Sequence, residues 1–180
     1  MTASGRVAAI TVAAMLANSA SCSVQAAIFY GLGGYSAGAV SRDGSLVLTN
    51  SHVWTPGGGL VPYSADIYTY SRDISNDGVV VGLIDGSYIA FRTPIGGPLQ
   101  ELGTLPGGTY GSDAFGITPD GNVVVGLTSS STGSQAYRWT SETGMVGLGH
   151  LAPGEHHSDA ANAVSPDGSI VVGQAESTQG

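Results

Sequence analysis

Ile117-Thr118-Pro119-Asp120-Gly121-Asn122-Val123-Val124-Val125-Gly126 occurs, in recognisable copies, four times along the chain. The other copies are Val40-Ser41-Arg42-Asp43-Gly44-Ser45-Leu46-Val47-Leu48, then Ile74-Ser75-Asn76-Asp77-Gly78-Val79-Val80-Val81-Gly82, then Val164-Ser165-Pro166-Asp167-Gly168-Ser169-Ile170-Val171-Val172-Gly173. Each reads as strand, tight turn, strand. Proline at 119 and 166 pre-sets φ for the first central turn position, Asp bonds its local backbone, and Gly supplies the positive φ that closes the connection. The valines that follow are apolar at consecutive rather than alternate positions. They are therefore expected to be buried on both faces, as an inner strand between two layers is. Burying each one contributes roughly 1.5–3 kcal/mol relative to exposure.

Two more short strands follow the best copy, Gln135-Ala136-Tyr137-Arg138-Trp139-Thr140 and Gly144-Met145-Val146-Gly147-Leu148-Gly149-His150-Leu151. The first has counterparts in Ile89-Ala90-Phe91-Arg92-Thr93 and, more loosely, Ser51-His52-Val53-Trp54-Thr55. The second is matched by Leu99-Gln100-Glu101-Leu102-Gly103-Thr104-Leu105 and faintly by Tyr30-Gly31-Leu32-Gly33. One unit is thus four strands, and the Asp-Gly landmarks at 43, 77, 120 and 167 lie 34, 43 and 47 residues apart. Four strands in a period of about 40–50 residues is the pattern of a propeller blade.

The hydroxyl-x-Asp-Gly hairpin, the Ala-Tyr-Arg-Trp-Thr strand and the Leu-Gly-x-Leu-x-Gly-Gly ending together resemble the HAF repeats of bacterial extracellular proteins, named for a His-Ala-Phe triplet. The likeness covers most of the chain after residue 30. The triplet appears as Gln135-Ala136-Tyr137, as Ile89-Ala90-Phe91 and, displaced, as His52-Val53-Trp54. What the resemblance implies is an exported protein of repeated β units with no assigned activity. The Ser-Pro-Asp-Gly hairpin also resembles blades of TolB-like propellers, an analogy of architecture only.

At the N-terminus a single Arg6 precedes the run Val7-Ala8-Ala9-Ile10-Thr11-Val12-Ala13-Ala14-Met15-Leu16-Ala17, which reads as a secretory signal peptide over residues 1–26. Val24-Gln25-Ala26 carries the small residues a signal peptidase needs, placing cleavage after Ala26. The folded domain is then 27–180, with no transmembrane span. Cys22 is the only cysteine. Cleavage after Ala26 removes it, so no disulfide is expected; lipidation at Cys22 is the alternative, and it would make the protein a surface lipoprotein adhesin.

Glycine and proline fall between strand candidates, with Gly57-Gly58-Gly59, Gly96-Gly97-Pro98 and Pro106-Gly107-Gly108 punctuating the ends of units. Ser129-Ser130-Ser131-Thr132-Gly133-Ser134 reads as a polar loop between the second and third strands of the third unit. There is no lysine. After removal of the signal peptide, and with it Arg6, the four arginines at 42, 72, 92 and 138 face thirteen Asp and Glu, a balance that repels nucleic acid and anionic lipid and keeps a protein soluble. The last unit ends soon after Val171-Val172-Gly173, before an aromatic third strand. Truncation of a longer array is the expectation; the alternative is that Ile28-Phe29-Tyr30 completes the last blade of a small ring. An open array would expose apolar surface at Ile170-Val171-Val172, so self-association through that blade edge is expected.

Candidate chemistry is thin. Gly34-Tyr35-Ser36-Ala37-Gly38 fits the Gly-x-Ser-x-Gly turn of a hydrolase nucleophile, but that turn needs a strand before it and a helix after it. Here Ser36 leads into a hairpin strand, and it stands roughly where Ser112 and Ser158 stand in later units. Glu155, His156, His157 and Asp159 are the densest group of metal-ligand types, in an inter-unit loop with no second cluster, so an exposed polar turn is the reading. His52 and His150 each stand alone and read as structural. Asp43, Asp77, Asp120 and Asp167 offer one carboxylate per turn, whereas a calcium loop needs several. Trp54 and Trp139 recur in third strands, which points to packing between blades rather than to stacking on a sugar.

The sequence therefore predicts an all-β, propeller-like array of about three and a half four-stranded units. Its expected role is that of a secreted or cell-envelope scaffold or binding module. No catalytic, cofactor-binding or metal-binding residue is assigned, no cofactor is expected, and the ligand or envelope partner is not identified. A fragment of a secreted propeller hydrolase is the alternative.

Overall fold

The computed structural model describes residues 9–12, 28–32, 34–63, 68–151 and 157–176. These residues contain strands and no helix, and the chain divides into two compact units, Met1–Ser36 and Ala37–Gly180. In the first unit β1 (Ala9–Val12) is antiparallel to β2 (Ile28–Gly31), with Ala9 opposite Gly31 and Val12 opposite Ile28. β1 falls inside the run assigned to the signal peptide. Cys22 and the cleavage point after Ala26 lie outside the described residues. Ile28-Phe29-Tyr30, the alternative ring-closing strand, is paired with β1.

The second unit holds the repeats. β3 (Ala37–Val40), β4 (Val47–Thr49), β5 (His52–Thr55) and β6 (Gly59–Pro62) form one antiparallel sheet in chain order. β7 (Thr69–Ile74), β8 (Val79–Ile84), β9 (Ala90–Pro94) and β10 (Gln100–Gly103) form the second. The third comprises β11 (Ser112–Ile117), β12 (Val124–Ser130), β13 (Gly133–Thr140) and β14 (Gly144–Gly147), with β15 (His157–Ser158) running parallel to β13. A hairpin of β16 (Ala160–Val164) and β17 (Val171–Gln174) makes half of a fourth. This is the expected all-β array of about three and a half blades. The first strands are neighbours in series, β3 against β7, β7 against β11 and β11 against β16, as strands lining a propeller axis are.

The consecutive valines explain the stacking. Val80 joins Leu48, Val53, Tyr63, Ile74 and Phe91 in the core between the first two blades. Its neighbours Val79 and Val81 point the other way, into a core with Ala90, Leu102, Ala114, Val124, Tyr137 and Trp139 between blades two and three. Alternate side chains of one strand thus supply two cores. The glycine that ends the run has its own cause. Every first strand carries a register shift, between Ala37 and Ala39, Ser71 and Asp73, Ala114 and Gly116, and Ala161 and Ala163. At that bulge the second strand approaches so closely that a Cβ on Gly126 would overlap the Asp113 carbonyl oxygen.

Two local readings are corrected. The serine-rich run at 129–134 is not a loop: β12 and β13 continue through it with Ser129 opposite Ser134 and Ser130 opposite Gly133. Its hydroxyls hold the turn, Ser130 Oγ donating to the Gly133 carbonyl and accepting from Thr132 N–H. Likewise neither Gly57-Gly58-Gly59 nor Gly96-Gly97-Pro98 ends a unit: Gly59 starts β6 opposite Thr55, and residues 96–98 join β9 to β10 within the second blade.

Candidate functional site

All four repeated turns share the bond from the glycine N–H to the carbonyl of the hydroxyl residue, and in the first, third and fourth the hydroxyl also bonds the turn aspartate. In the third unit Gly121 N–H donates to the Thr118 carbonyl at 2.9 Å, with Pro119 and Asp120 as the central residues and Gly121 at φ 71°. Thr118 Oγ1 accepts from Val123 N–H (3.0 Å) and donates to Asp120 Oδ1 (2.5 Å). Ser165 and Asp167 repeat this in the fourth unit, and Ser41 and Asp43 in the first. These bonds favour the carboxylate, so all three acids sit below the usual range, Asp167 down to about 2, with the hydroxyl of the turn as the largest cause. The carboxylates of Asp43, Asp120 and Asp167 serve their own turns, in keeping with the turn-forming role read for them from the sequence.

A second set of acids ties blades together. Asp73 Oδ1 accepts from Ile74 N–H and Oδ2 from Ile117 N–H, bridging the second and third blades. Arg72 Nη2 reaches Asp113 Oδ2 at 2.7 Å across the same boundary. Burial raises the carboxyls of both Asp73 and Asp113, and outweighs the lowering effect of the bonds each receives. Arg42, in the first turn, donates to the Val164 carbonyl of the fourth unit at 2.9 Å.

The densest side-chain chemistry lies where the third blade meets the last hairpin. Asp159 is fully buried; its Oδ2 lies 2.5 Å from His150 Nδ1 and its Oδ1 accepts from Glu176 N–H. The other ring nitrogen, His150 Nε2, lies 2.9 Å from Thr132 Oγ1 and 3.1 Å from Gln135 Nε2. Carboxylate, imidazole and hydroxyl in a row are the parts of a general-base relay. Thr132, however, sits in a hairpin turn with its hydroxyl also 3.1 Å from Ser130 Oγ, and Gln135 shares the imidazole nitrogen that would act as base. Beside this chain of bonds is a cavity of about 300 Å³, lined by Ala136, Leu148, Ala161, Val171 and Gly173 together with His150.

No protein-family profile and no curated protein matches the chain. Among solved structures, that of an Agrobacterium tumefaciens protein assigned as TolB is similar at 19% identity with a TM-score of 0.49. The match covers 77% of this chain and 53% of that one, so the matched part spans about half the length of the Agrobacterium protein.

The sequence candidates disperse. Ser36 is exposed and precedes strand β3 rather than a helix, so the nucleophile turn is not formed. Of the possible metal ligands, Glu155 and His156 lie outside the described residues, and Asp159 is turned inward onto His150. Among the described residues no cluster of three such groups converges. His150 does not stand alone as its spacing suggested, because Asp159 reaches it from the next unit. His52 Nδ1 lies 2.8 Å from Ser51 Oγ. Trp139 is buried between blades, with the Arg92 guanidinium 5.3 Å from its ring centroid, as its recurrence in third strands suggested. The signal that could have exposed the His150–Asp159 pair is its placement: a histidine at the end of one unit and an aspartate at the start of the next, at the seam that stacking must close.

Proposed function

We propose that this chain is an exported, non-enzymatic repeat protein of the HAF type, acting as a bacterial envelope or extracellular scaffold that binds partners through its loops and blade edge. The observation that carries this is where its reactive groups are engaged. Asp43, Asp120 and Asp167 are bonded within their turns, and Asp73, Asp113 and Asp159 between strands or blades. A hydrolase keeps such groups directed at a space that substrate can enter. The acidic, lysine-free composition fits a soluble protein outside the cytoplasm and disfavours nucleic acid as partner.

The Thr132–His150–Asp159 row favours a second reading, a secreted hydrolase. One experiment separates the two. The purified chain is treated with a fluorophosphonate probe and assayed on esters and peptides, beside Thr132→Ala and His150→Ala variants. The scaffold reading expects no labelling and no turnover in any of them. Labelling of the wild type that vanishes in Thr132→Ala would establish the hydrolase instead. Export is tested by fractionating cells that carry the gene: protein in the periplasm or medium, beginning at Ala27, is the expected outcome.

A further inference from the structure

The two ends of the blades differ. One carries the Asp-Gly turns. At the other, the start of β7 pairs with the end of β8 and the start of β11 with the end of β12, so the β8–β9 and β12–β13 turns share a rim with the connections that lead into β7 and β11. Every exposed tyrosine described in the second unit lies on this rim: Tyr68, Tyr70, Tyr88 and Tyr110, whereas Tyr63 and Tyr137 are buried. Exposed apolar side chains scattered singly are ordinary on a protein surface, but four tyrosines confined to one rim are not scattered.

Two of them flank a cleft of about 200 Å³ between the second and third blades. Tyr88 is 57% exposed and Tyr110 90%, and both are fixed through the backbone. Tyr88, in the β8–β9 turn, has φ 55° and is the one non-glycine residue among those described with a positive φ, a costly conformation for a bulky side chain. Its N–H donates to the Ile84 carbonyl and its own carbonyl accepts from Ser112 N–H at 2.9 Å. Gly111 passes so near that a Cβ there would overlap the Tyr88 carbonyl oxygen. Tyr110 N–H donates to Ser129 Oγ at 3.1 Å. Half-buried Leu83 and Leu127 line the cleft as well, with Asp113 and Ser134. Arg72 bonds the Asp113 carboxylate, yet a carboxylate has about four acceptor sites, so it keeps capacity for a donor from a ligand. Both blades have their four strands paired in order, so the repeat has no further strand to place in this cleft.

We infer that the cleft binds one sugar ring of a neutral glycan with equatorial ring substituents, stacked against Tyr88 and Tyr110, with a hydroxyl donating to Asp113. The C–H faces of such a ring carry the slight positive charge that the face of a tyrosine attracts. The volume falls below the roughly 300–1,000 Å³ of sites for drug-sized ligands, which suits a single ring of a longer chain. Proline-rich peptides also dock on aromatic grooves, but proline has no N–H to offer the carboxylate. A cation is not selected, because Arg72 already neutralises Asp113, and the net charge of −8 disfavours acidic glycans. The site rests on the binding-module reading and gives it a ligand class.

Cellohexaose and chitohexaose, neutral chains of this kind, are the probes, each titrated into the isotope-labelled 180-residue chain and followed by amide NMR shifts. Saturable shifts are expected at Tyr88, Gly111 and Ser134. The dissociation constant should rise about tenfold or more in Tyr110→Ser and in Tyr88→Asn, and stay unchanged in Val40→Asp on the first blade. Asn accepts the left-handed conformation, so Tyr88→Asn removes the ring and keeps the turn, and unmoved amides elsewhere show that each variant is folded. No saturable shift from either glycan, or equal affinity in the two tyrosine variants, would overturn the site. A proline-rich peptide that binds more tightly than both glycans and is lost in Tyr110→Ser would also overturn it, by making a peptide the occupant. The non-enzymatic reading falls to different results, probe labelling or turnover, so either can fail alone.

Discussion

Tyr137→Phe is expected to stabilise this protein. The side chain is fully buried and its hydroxyl has no hydrogen-bond partner among the described residues. Burial, and then the nearby Asp113 charge, push the phenol far above its ordinary pKa, so the group stays protonated at any working pH. An unpaired buried hydroxyl costs about 1–3 kcal/mol, while the ring contacts in the core between blades two and three survive the change. The second blade has Phe91 in the same register position, opposite the equivalent glycine and equally buried. A gain of about 1 kcal/mol follows, which for a chain of this size is about 2–4 °C in Tm. Urea unfolding followed by tryptophan fluorescence and circular dichroism should show a higher midpoint with the slope unchanged. The reciprocal Phe91→Tyr should lose stability, by about 1–3 kcal/mol, because it buries a hydroxyl where none is accommodated. If Tyr137→Phe instead lowers the midpoint, the hydroxyl is bonded in solution and the reasoning fails.

Gly126→Ala should cost more than about 2 kcal/mol, because the new Cβ meets the Asp113 carbonyl rather than a side chain that can move; a near-neutral result in urea unfolding would deny the bulge. Trp139→Ala removes a ring buried between two blades and should lose about 3–5 kcal/mol, read as a drop in the urea midpoint. The acid profile has a definite sign. Asp43, Asp120 and Asp167 are depressed, so their contribution is fully present above the ordinary carboxylate pKa near 4 and is lost as pH falls, for Asp167 through about 2. Asp73 and Asp113 are raised and act oppositely, their burial penalty easing as pH falls through their folded pKa values. Asp167→Asn should therefore lose less stability than wild type between pH 5 and pH 2, measured by urea midpoints; an identical loss would remove Asp167 from the profile.

What the sequence disclosed was the part that depends on local chemistry. Asp-Gly after a hydroxyl residue specifies its turn within five residues, and consecutive valines specify a strand buried on both faces. Both features repeat, so the blades β7–β10 and β11–β14 were legible almost strand by strand. β6 was missed because Gly57-Gly58-Gly59 carries the composition of a break, and only pairing with β5 makes Gly59 extended. The polar run at 129–134 misled for a related reason: hydroxyls are common in loops, yet here they bond the turn and let the ladder continue. The His150–Asp159 pair and the Arg72–Asp113 bridge join residues of different strands, and no spacing along one unit announces them. The cavity was invisible for the same cause. Its lining comes from β13, β16, β17 and the segment after β14, which only the stacking of one unit on the next brings together.

Hydrogen exchange of residues 1–180, resolved to individual amides, is the most direct test that three blades hold four paired strands each and that, within this stretch, β17 is paired on one edge. Val80, Val81, Val124 and Val125 lie in strands paired on both edges and have fully buried side chains, so their amides should exchange slowest, near the rate of global opening. Val171 to Gln174 should exchange much faster, because β17 has one partner among the described residues, and its Val172 and the preceding Ile170 are 57% and 62% exposed. Protection at 171–174 equal to that at 124–127 would mean the edge is covered in the isolated protein, and the open half-blade would have to be abandoned.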